Sequence, residues 1–413
     1  MEPNNYQRVW LKCIALVFFL ALIFQGSRGL WEPDEGRYVR CASEMVKSNN
    51  WLIPKINGIP HFSKPPLTYW LVASGLHIFG MNEWGARVFH GIVFALTAII
   101  VGILGSRMWD QKTGLLACLI YSTTVTPFIA GNIVTTDTIL VFWETLAVLC
   151  FWTSVRSRDD IFKSSLWLLL MWFLFGIAFL TKGPAVLLPL AAIIPYFILR
   201  KESKPSPLMV TIGGILIFMV VASSWYLLVT MHFKGLLSYW VKKEFIARVF
   251  TAEYKKNPGL SGLLKSYLPP LTLGALPWSW YWIPLARKYN PQILTRRWWR
   301  QLRQRPVALF LFLWFGIPFF LLCLADSRLP LYILPLFAPL TLVTARGLVR
   351  TYPERVIDFI SFRKKAGIVI IGITIFLVSM KLIAAYIPVK RDSRTLWKRI
   401  SPVIQQKLGN EPY

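Results

Sequence analysis

Residues 28–40 read RGLWEPDEGRYVR, with three acids and three arginines in thirteen positions, and they stand two residues after the apolar run LKCIALVFFLALIFQ (11–25). A chain that leaves such a run and at once presents Asp34, Glu35 and Arg37 beside a Trp-Glu-Pro turn is leaving a lipid phase for a polar surface. Arg8 and Lys12 flank the run and no small-x-small cleavage site follows it, so it reads as a retained anchor.

The composition agrees. Of 413 residues, 55% are hydrophobic and only 16% charged, too apolar for a soluble globule and right for an all-α polytopic membrane protein. The formal charge of +27 does not point to nucleic acid, because the basic residues lie between apolar runs, where cytoplasmic loops and anionic headgroups account for them. Five scattered cysteines give neither a disulfide framework nor metal spacing, and four histidines show no HxxxH or HExxH.

Apolar runs long enough to span lie near 9–26, 86–105, 114–130, 137–155, 165–181, 184–200, 208–231, 266–286, 307–325, 329–345 and 366–387. The run PPLTYWLVASGLHIFG (65–80) is short and opens on two prolines. If it does not span, loops 106–113, 156–164, 200–207, 287–306 and 346–365 share one side, and all are rich in Lys and Arg. We therefore expect eleven spans, with interfacial helices in the first outer loop (27–85), a second long outer loop (232–265) and a short basic tail (388–413). Asp34, HFSKPP (61–66), Asp137, Lys182 and ADSR (325–328) then gather at one outer face. The outer loop 232–265 and the tail are basic as well, which something anionic outside would explain.

Each polar residue has a bland reading beside a chemical one. Asp34 is a solvated turn residue or a functional acid; its neighbour Glu35 cannot share a helix face with it, which argues against a carboxylate dyad. Asp137, in TTDTILVFW (135–143), is an ordinary helix-start acid or a site residue, and Glu144 two turns deeper faces a cavity or bonds a neighbouring helix. Lys182, in FLTKGP (179–184), snorkels to the interface or joins Lys64 and Arg248 in holding a phosphate.

In order, WEPDEGRYVRCASEMVKSNNWLIPKINGIPHFSKPPLTYWL, TTDTILVFW, FLTKGPAVLLPL, EFIARVF and SRLPLYILPLFAPL resemble the lipid A 4-amino-4-deoxy-arabinose transferases and their protein O-mannosyltransferase relatives, of the GT-C fold. The resemblance implies one transferase domain over 1–387 that takes a sugar from a polyprenyl (undecaprenyl) phosphate carrier with inversion. Its acceptor would be lipid A, another glycolipid or a protein. It would act at the periplasmic face of the inner membrane, among membrane lipids and without nucleic acid. It implies Asp34 and Asp137 as catalytic, and Lys64, Lys182, Arg37, Arg248, Arg328 and Tyr332 as carrier-phosphate or donor contacts. Glu35, His61, Tyr69 and Glu244 would support them. The family's two metal ligands fall on Ser63 and Phe245, so no metal is firmly expected, although His61 stands nearby. The large C-terminal outer domain of the lipid A enzymes is not expected here. A lipid-linked-substrate transporter and an inactive scaffold of the same fold are the alternatives.

Overall fold

The computed structural model describes residues 3–199, 208–240, 256–288, 295–362, 364–387 and 389–408. The first apolar helix is α1 (Pro3–Leu22), and the loop after it holds α2 (Asp34–Ser48), a two-residue antiparallel hairpin (55–56 with 59–60) and α3 (Leu67–Phe79). Then follow α4 (Glu83–Met108), α5 (Gln111–Thr123), α6 (Val125–Ala130), α7 (Thr136–Arg156), α8 (Ile161–Lys182), α9 (Leu187–Leu199) and α10 (Leu208–His232). Helices Gly259–Thr272, Pro306–Leu324, Phe337–Thr351, Lys364–Tyr386 and Ser393–Leu408 carry most of the remainder.

Among the described residues, eight helical stretches are long and apolar enough to cross a membrane, and the chain is a polytopic all-α membrane protein. Eleven spans were expected, and local chemistry accounts for the difference. One stretch, Ile161–Leu199, contains two of the expected spans, turned at Gly183 and Pro184. Gly183 sits at φ +65°, a left-handed conformation that glycine adopts without steric cost. The expected span 114–130 breaks at Thr124: the hydroxyls of Thr123 and Thr124 donate to the carbonyls of Leu119 and Ile120, and Pro127 has no N–H to carry the ladder onward. The expected span 266–286 contains Pro269, Pro270 and Pro277 and divides into a helix, two 3₁₀ turns and a second short helix.

Helix α3, with 13 residues, is about 20 Å long at 1.5 Å per residue, short of the ~30 Å hydrocarbon core. It lies between α2 and α4 with Tyr69, Val72, Ala73 and Leu76 buried.

The core is helix on helix: α4 packs on α5 and α7, and α8 on α7 and α10. Close approach of α4 and α5 depends on small residues, since a Cβ on Gly114 would collide with Ser106 Oγ and Gly102 O. Helices α10 and Lys364–Tyr386 keep apolar residues such as Leu216, Met219, Ile371 and Phe376 exposed, as lipid-facing surfaces do.

Lys364–Tyr386 also carries a buried cation: Lys381 Nζ donates to Leu20 O (2.8 Å), Ala21 O (3.1 Å) and Ile23 O (2.7 Å). These are carbonyls that the C-terminus of α1 leaves without helical partners. The chain then returns to the loop after α1: Ser393 N donates to Leu30 O (2.8 Å) and Glu32 N to Arg391 O (2.7 Å).

Candidate functional site

Asp34 and Glu35 open α2 and point apart. Asp34 is exposed and accepts from Arg37 Nη2 at 2.7 Å, whereas Glu35 is 1% exposed. Its carboxylate takes Arg28 Nη1 at 2.6 Å, Arg87 Nε at 2.9 Å and Arg87 Nη2 at 3.0 Å, and also the backbone N–H groups of Trp31 (2.8 Å) and Val134 (2.9 Å). Burial alone would raise its pKa, but Arg87 and Arg28 overcome that and hold it down at about 2. Glu35, expected as a supporting residue, is the anchor of the loop.

The contact with Val134 matters because Asp137 follows three residues later. Segment 131–135 is gripped along its length: Gln25 Nε2 donates to Gly131 O (2.8 Å), Arg28 Nη2 to Asn132 O (2.7 Å), and His90 Nε2 lies 3.0 Å from Thr135 O. The same buried cluster therefore sets the start of α2, with Asp34, and the start of α7, with Asp137. Between them stands Tyr38, whose hydroxyl meets Thr136 and lies in the field of both Asp34 and Asp137; burial pushes its pKa up.

Asp137 makes a short ion pair with Lys182, the last residue of α8, although 45 positions separate them. The Lys182 ammonium also lies 4.2 Å from the ring centroid of Tyr332, on a 3₁₀ turn (Pro330–Leu336). Glu144 is buried two turns down α7 with neither carboxyl oxygen hydrogen-bonded, facing into the interior below the pair.

The HFSKPP segment lies near Arg37 of α2. Ser63 Oγ and His61 Nε2 are 2.6 Å apart, and burial together with Arg37 lowers the His61 pKa. Tyr69 is fully buried, its ring 5.6 Å from that of Tyr38, and its hydroxyl faces Cys41 and Ser63 without completing a hydrogen bond. Lys64 is half-buried immediately before the prolines that start α3.

Arg328 is placed differently from Tyr332, with which it was grouped. Its Nη1 donates to Asn257 O (3.2 Å) and Gly259 O (3.1 Å) and its Nη2 to Cys323 O (2.8 Å), so the guanidinium fastens loop to loop. Arg248, Glu244 and Phe245 lie outside the described residues. Among the described residues, no group of three or more His, Cys, Asp or Glu is arranged to hold a metal ion.

Sequence reasoning passed over Arg28, Arg87 and Tyr38. Arg87 had a signal: an arginine at the head of a long apolar run needs a buried anion. Tyr38 had none, being one aromatic among many.

The comparisons with known proteins agree with this architecture. Residues 63–228 match the family described as dolichyl-phosphate-mannose-protein mannosyltransferase. The undecaprenyl phosphate-alpha-4-amino-4-deoxy-L-arabinose arabinosyl transferase of Erwinia tasmaniensis is 31% identical over 350 residues, which are 84% of this chain and 60% of that protein. The protein of the same description from Pseudomonas paraeruginosa is 30% identical over 356 residues, 84% of this chain and 60% of its own length. The chain thus spans about 60% of the length of the curated relatives it matches. Among solved structures, ArnT from Cupriavidus metallidurans bound to undecaprenyl phosphate superposes with a TM-score of 0.79 at 19% identity, over 99% of this chain and 82% of that one. The Archaeoglobus fulgidus oligosaccharyltransferase, tethered with an acceptor peptide, gives a TM-score of 0.57 at 13% identity, over 100% of this chain and 58% of that one.

Proposed function

We propose that this chain, which has the GT-C fold of the ArnT structures and sequence likeness to the arabinosyl transferases, is itself a polyprenyl-phosphate-dependent glycosyltransferase. The observation that supports the reading best is a chain of contacts: Glu35, the residue after Asp34, accepts the N–H of Val134, three residues before Asp137, and Asp137 pairs with Lys182. The ArnT structure holds undecaprenyl phosphate, and the curated relatives are named for an undecaprenyl phosphate-linked sugar, so a lipid-borne sugar phosphate is the donor class proposed here.

The chemistry follows from the charges. An acceptor hydroxyl attacks the anomeric carbon, the C–O bond to the carrier phosphate breaks, and the phosphate leaves with the electron pair. Negative charge builds on the leaving group, so a preorganised cation stabilises the transition state more than the ground state. Lys182 is that cation, held by Asp137 and the Tyr332 ring; Lys64 and Arg37 join it in the proposal on sequence likeness. Asp34 is exposed at the head of α2, where it can take the acceptor proton, and a single displacement inverts the anomeric centre. Arg248 and Glu244 belong to the proposal on sequence alone. Lipid A, another glycolipid or a protein is the acceptor class.

We place the protein in the inner membrane with this site on the periplasmic side. The Lys- and Arg-rich loops 106–113 and 346–365 lie at the ends of their spans away from Asp34 and support that orientation. Purified full chain reconstituted with an undecaprenyl phosphate-linked sugar and candidate acceptors tests the reading. Turnover with release of undecaprenyl phosphate is expected. Movement of intact donor across the bilayer without its consumption would establish a transporter instead.

A further inference from the structure

The helix Ser393–Leu408 follows the span Lys364–Tyr386 after six residues, so it starts at the membrane surface. At 100° per residue, Leu396, Trp397, Ile400, Val403 and Ile404 fall within one arc of about 120°, with Arg394, Lys398 and Arg399 outside it. Trp397 is 55% exposed, Ile400 49% and Val403 51%, and Lys398 and Arg399 are exposed as well. The segment 388–413 carries six Lys and Arg against Asp392 and Glu411. An apolar arc bordered by cations, continuous with a membrane span, has the physical properties of a helix that lies in a headgroup layer.

The start of this helix is also fastened to the segment that leads into α2. Leu30 N donates to Ser393 Oγ (3.0 Å), Ser393 N to Leu30 O (2.8 Å) and Glu32 N to Arg391 O (2.7 Å). Arg394 Nε pairs with Glu83 Oε1 at 2.7 Å, and its Nη1 donates to Ser27 O at 3.1 Å. Asp392 Oδ1 accepts the N–H of Arg394 at 2.9 Å and so closes the first turn. A helix held in this way transmits its seat in the membrane to residues 27–32, immediately before Asp34.

We propose that the helix Ser393–Leu408 is an interfacial anchor that binds the anionic lipid surface of the leaflet on the Asp34 side. Its apolar arc reaches the acyl boundary, and Lys398 and Arg399 meet lipid phosphates. The seated helix steadies the loop that carries Asp34. This function is separate from sugar transfer and holds whatever the acceptor is.

Amide hydrogen exchange on the full chain in nanodiscs decides the matter without any activity assay. Discs of phosphatidylglycerol are compared with discs of phosphatidylcholine. Exchange over 393–408 is expected to slow about tenfold or more in the anionic discs, since each cation near such a surface adds measurable attraction. The double substitution Lys398→Glu/Arg399→Glu is expected to abolish that difference while leaving exchange in α4 and α7 unchanged. Exchange that is equal in the two lipids, or a difference that survives the charge reversal, overturns the proposal.

Discussion

Arg87, at the head of α4, donates from Nε and Nη2 to the two carboxylate oxygens of Glu35, at the head of α2, over 2.9 and 3.0 Å, with both side chains at most 1% exposed. The three remaining guanidinium bonds run from Nη1 to Arg28 O (2.9 Å) and Gln25 O (3.4 Å) and from Nη2 to Gly29 O (2.8 Å). One arginine therefore holds both the helix that presents Asp34 and the strand-like segment that precedes it. Breaking a buried pair of this kind strands a charge away from water, which typically costs 3–5 kcal/mol.

Glu35→Gln is accordingly expected to destabilise the protein by about 3 kcal/mol and to lower turnover by loosening both Asp34 and Asp137. The sign of the pH dependence follows from the depressed pKa of about 2. The stabilisation from Glu35 is fully present above the carboxylate's unfolded value, near 4.3, and is lost as pH falls toward 2. Thermal unfolding of wild type and Glu35→Gln in detergent at pH 7 and pH 3.5 checks this. The gap between the two should narrow at the lower pH; a constant gap would mean that the charge on Glu35 is not what stabilises the fold.

Lys182 has two partners with different consequences. Asp137 holds the ammonium by charge, and the Tyr332 ring holds it by its π face. Lys182→Ala removes the cation proposed for the leaving group and leaves Asp137 buried without its counter-charge. Loss of turnover by roughly 100-fold or more is expected, comparable to removing one transition-state donor elsewhere. Asp137→Asn keeps the shape and frees Lys182, so it should weaken catalysis less than Lys182→Ala while retaining carrier binding. Donor titration with both variants measures this, and identical kinetics in all three proteins would dismiss the phosphate role.

How much of this was legible in the sequence differs by scale. The loop after α1 was readable because WEPDEG and HFSKPP sit between apolar runs. The expectation that Asp137 and Lys182 lie at one face followed from the same pattern of runs, and the two pair. Partnership was not legible: nothing in the chain says that Lys182 meets Asp137, or that Glu35 meets Arg87 at 52 positions' distance. Two expected spans failed as continuous helices for a local reason that hydropathy averages away. Prolines at 269 and 270, and threonine hydroxyls competing for backbone carbonyls at 123 and 124, interrupt stretches that are apolar enough to pass any window.

Arg328 separates a structural from a catalytic assignment. Its three guanidinium bonds end on backbone carbonyls of Cys323, Asn257 and Gly259, which bind the turn after Pro306–Leu324 to the start of Gly259–Thr272. Arg328→Gln should therefore lower thermal stability by about 2 kcal/mol, within the range for losing charged hydrogen bonds, and leave the donor KM within about threefold of wild type. A donor KM raised tenfold or more at unchanged stability would return Arg328 to the carrier phosphate.

Asp34 supplies the last test, because its environment contrasts with that of its neighbour. Its side chain is 66% exposed and its partner is Arg37, itself 41% exposed, so the pair contributes little to folding. Asp34→Asn preserves the side-chain shape at the helix start and removes the ability to accept a proton together with the exposed charge paired to Arg37. Stability should therefore remain within about 0.5 kcal/mol of wild type while turnover falls between roughly 10²- and 10⁴-fold, the span expected for a positioned general base. Binding of undecaprenyl phosphate, measured by tryptophan quenching or calorimetry on the reconstituted chain, should be unchanged, since the proposed carrier contact is Lys182 rather than Asp34. Full turnover in Asp34→Asn would remove the base from the proposed reaction; lost turnover together with lost carrier binding would make Asp34 a donor-site residue instead.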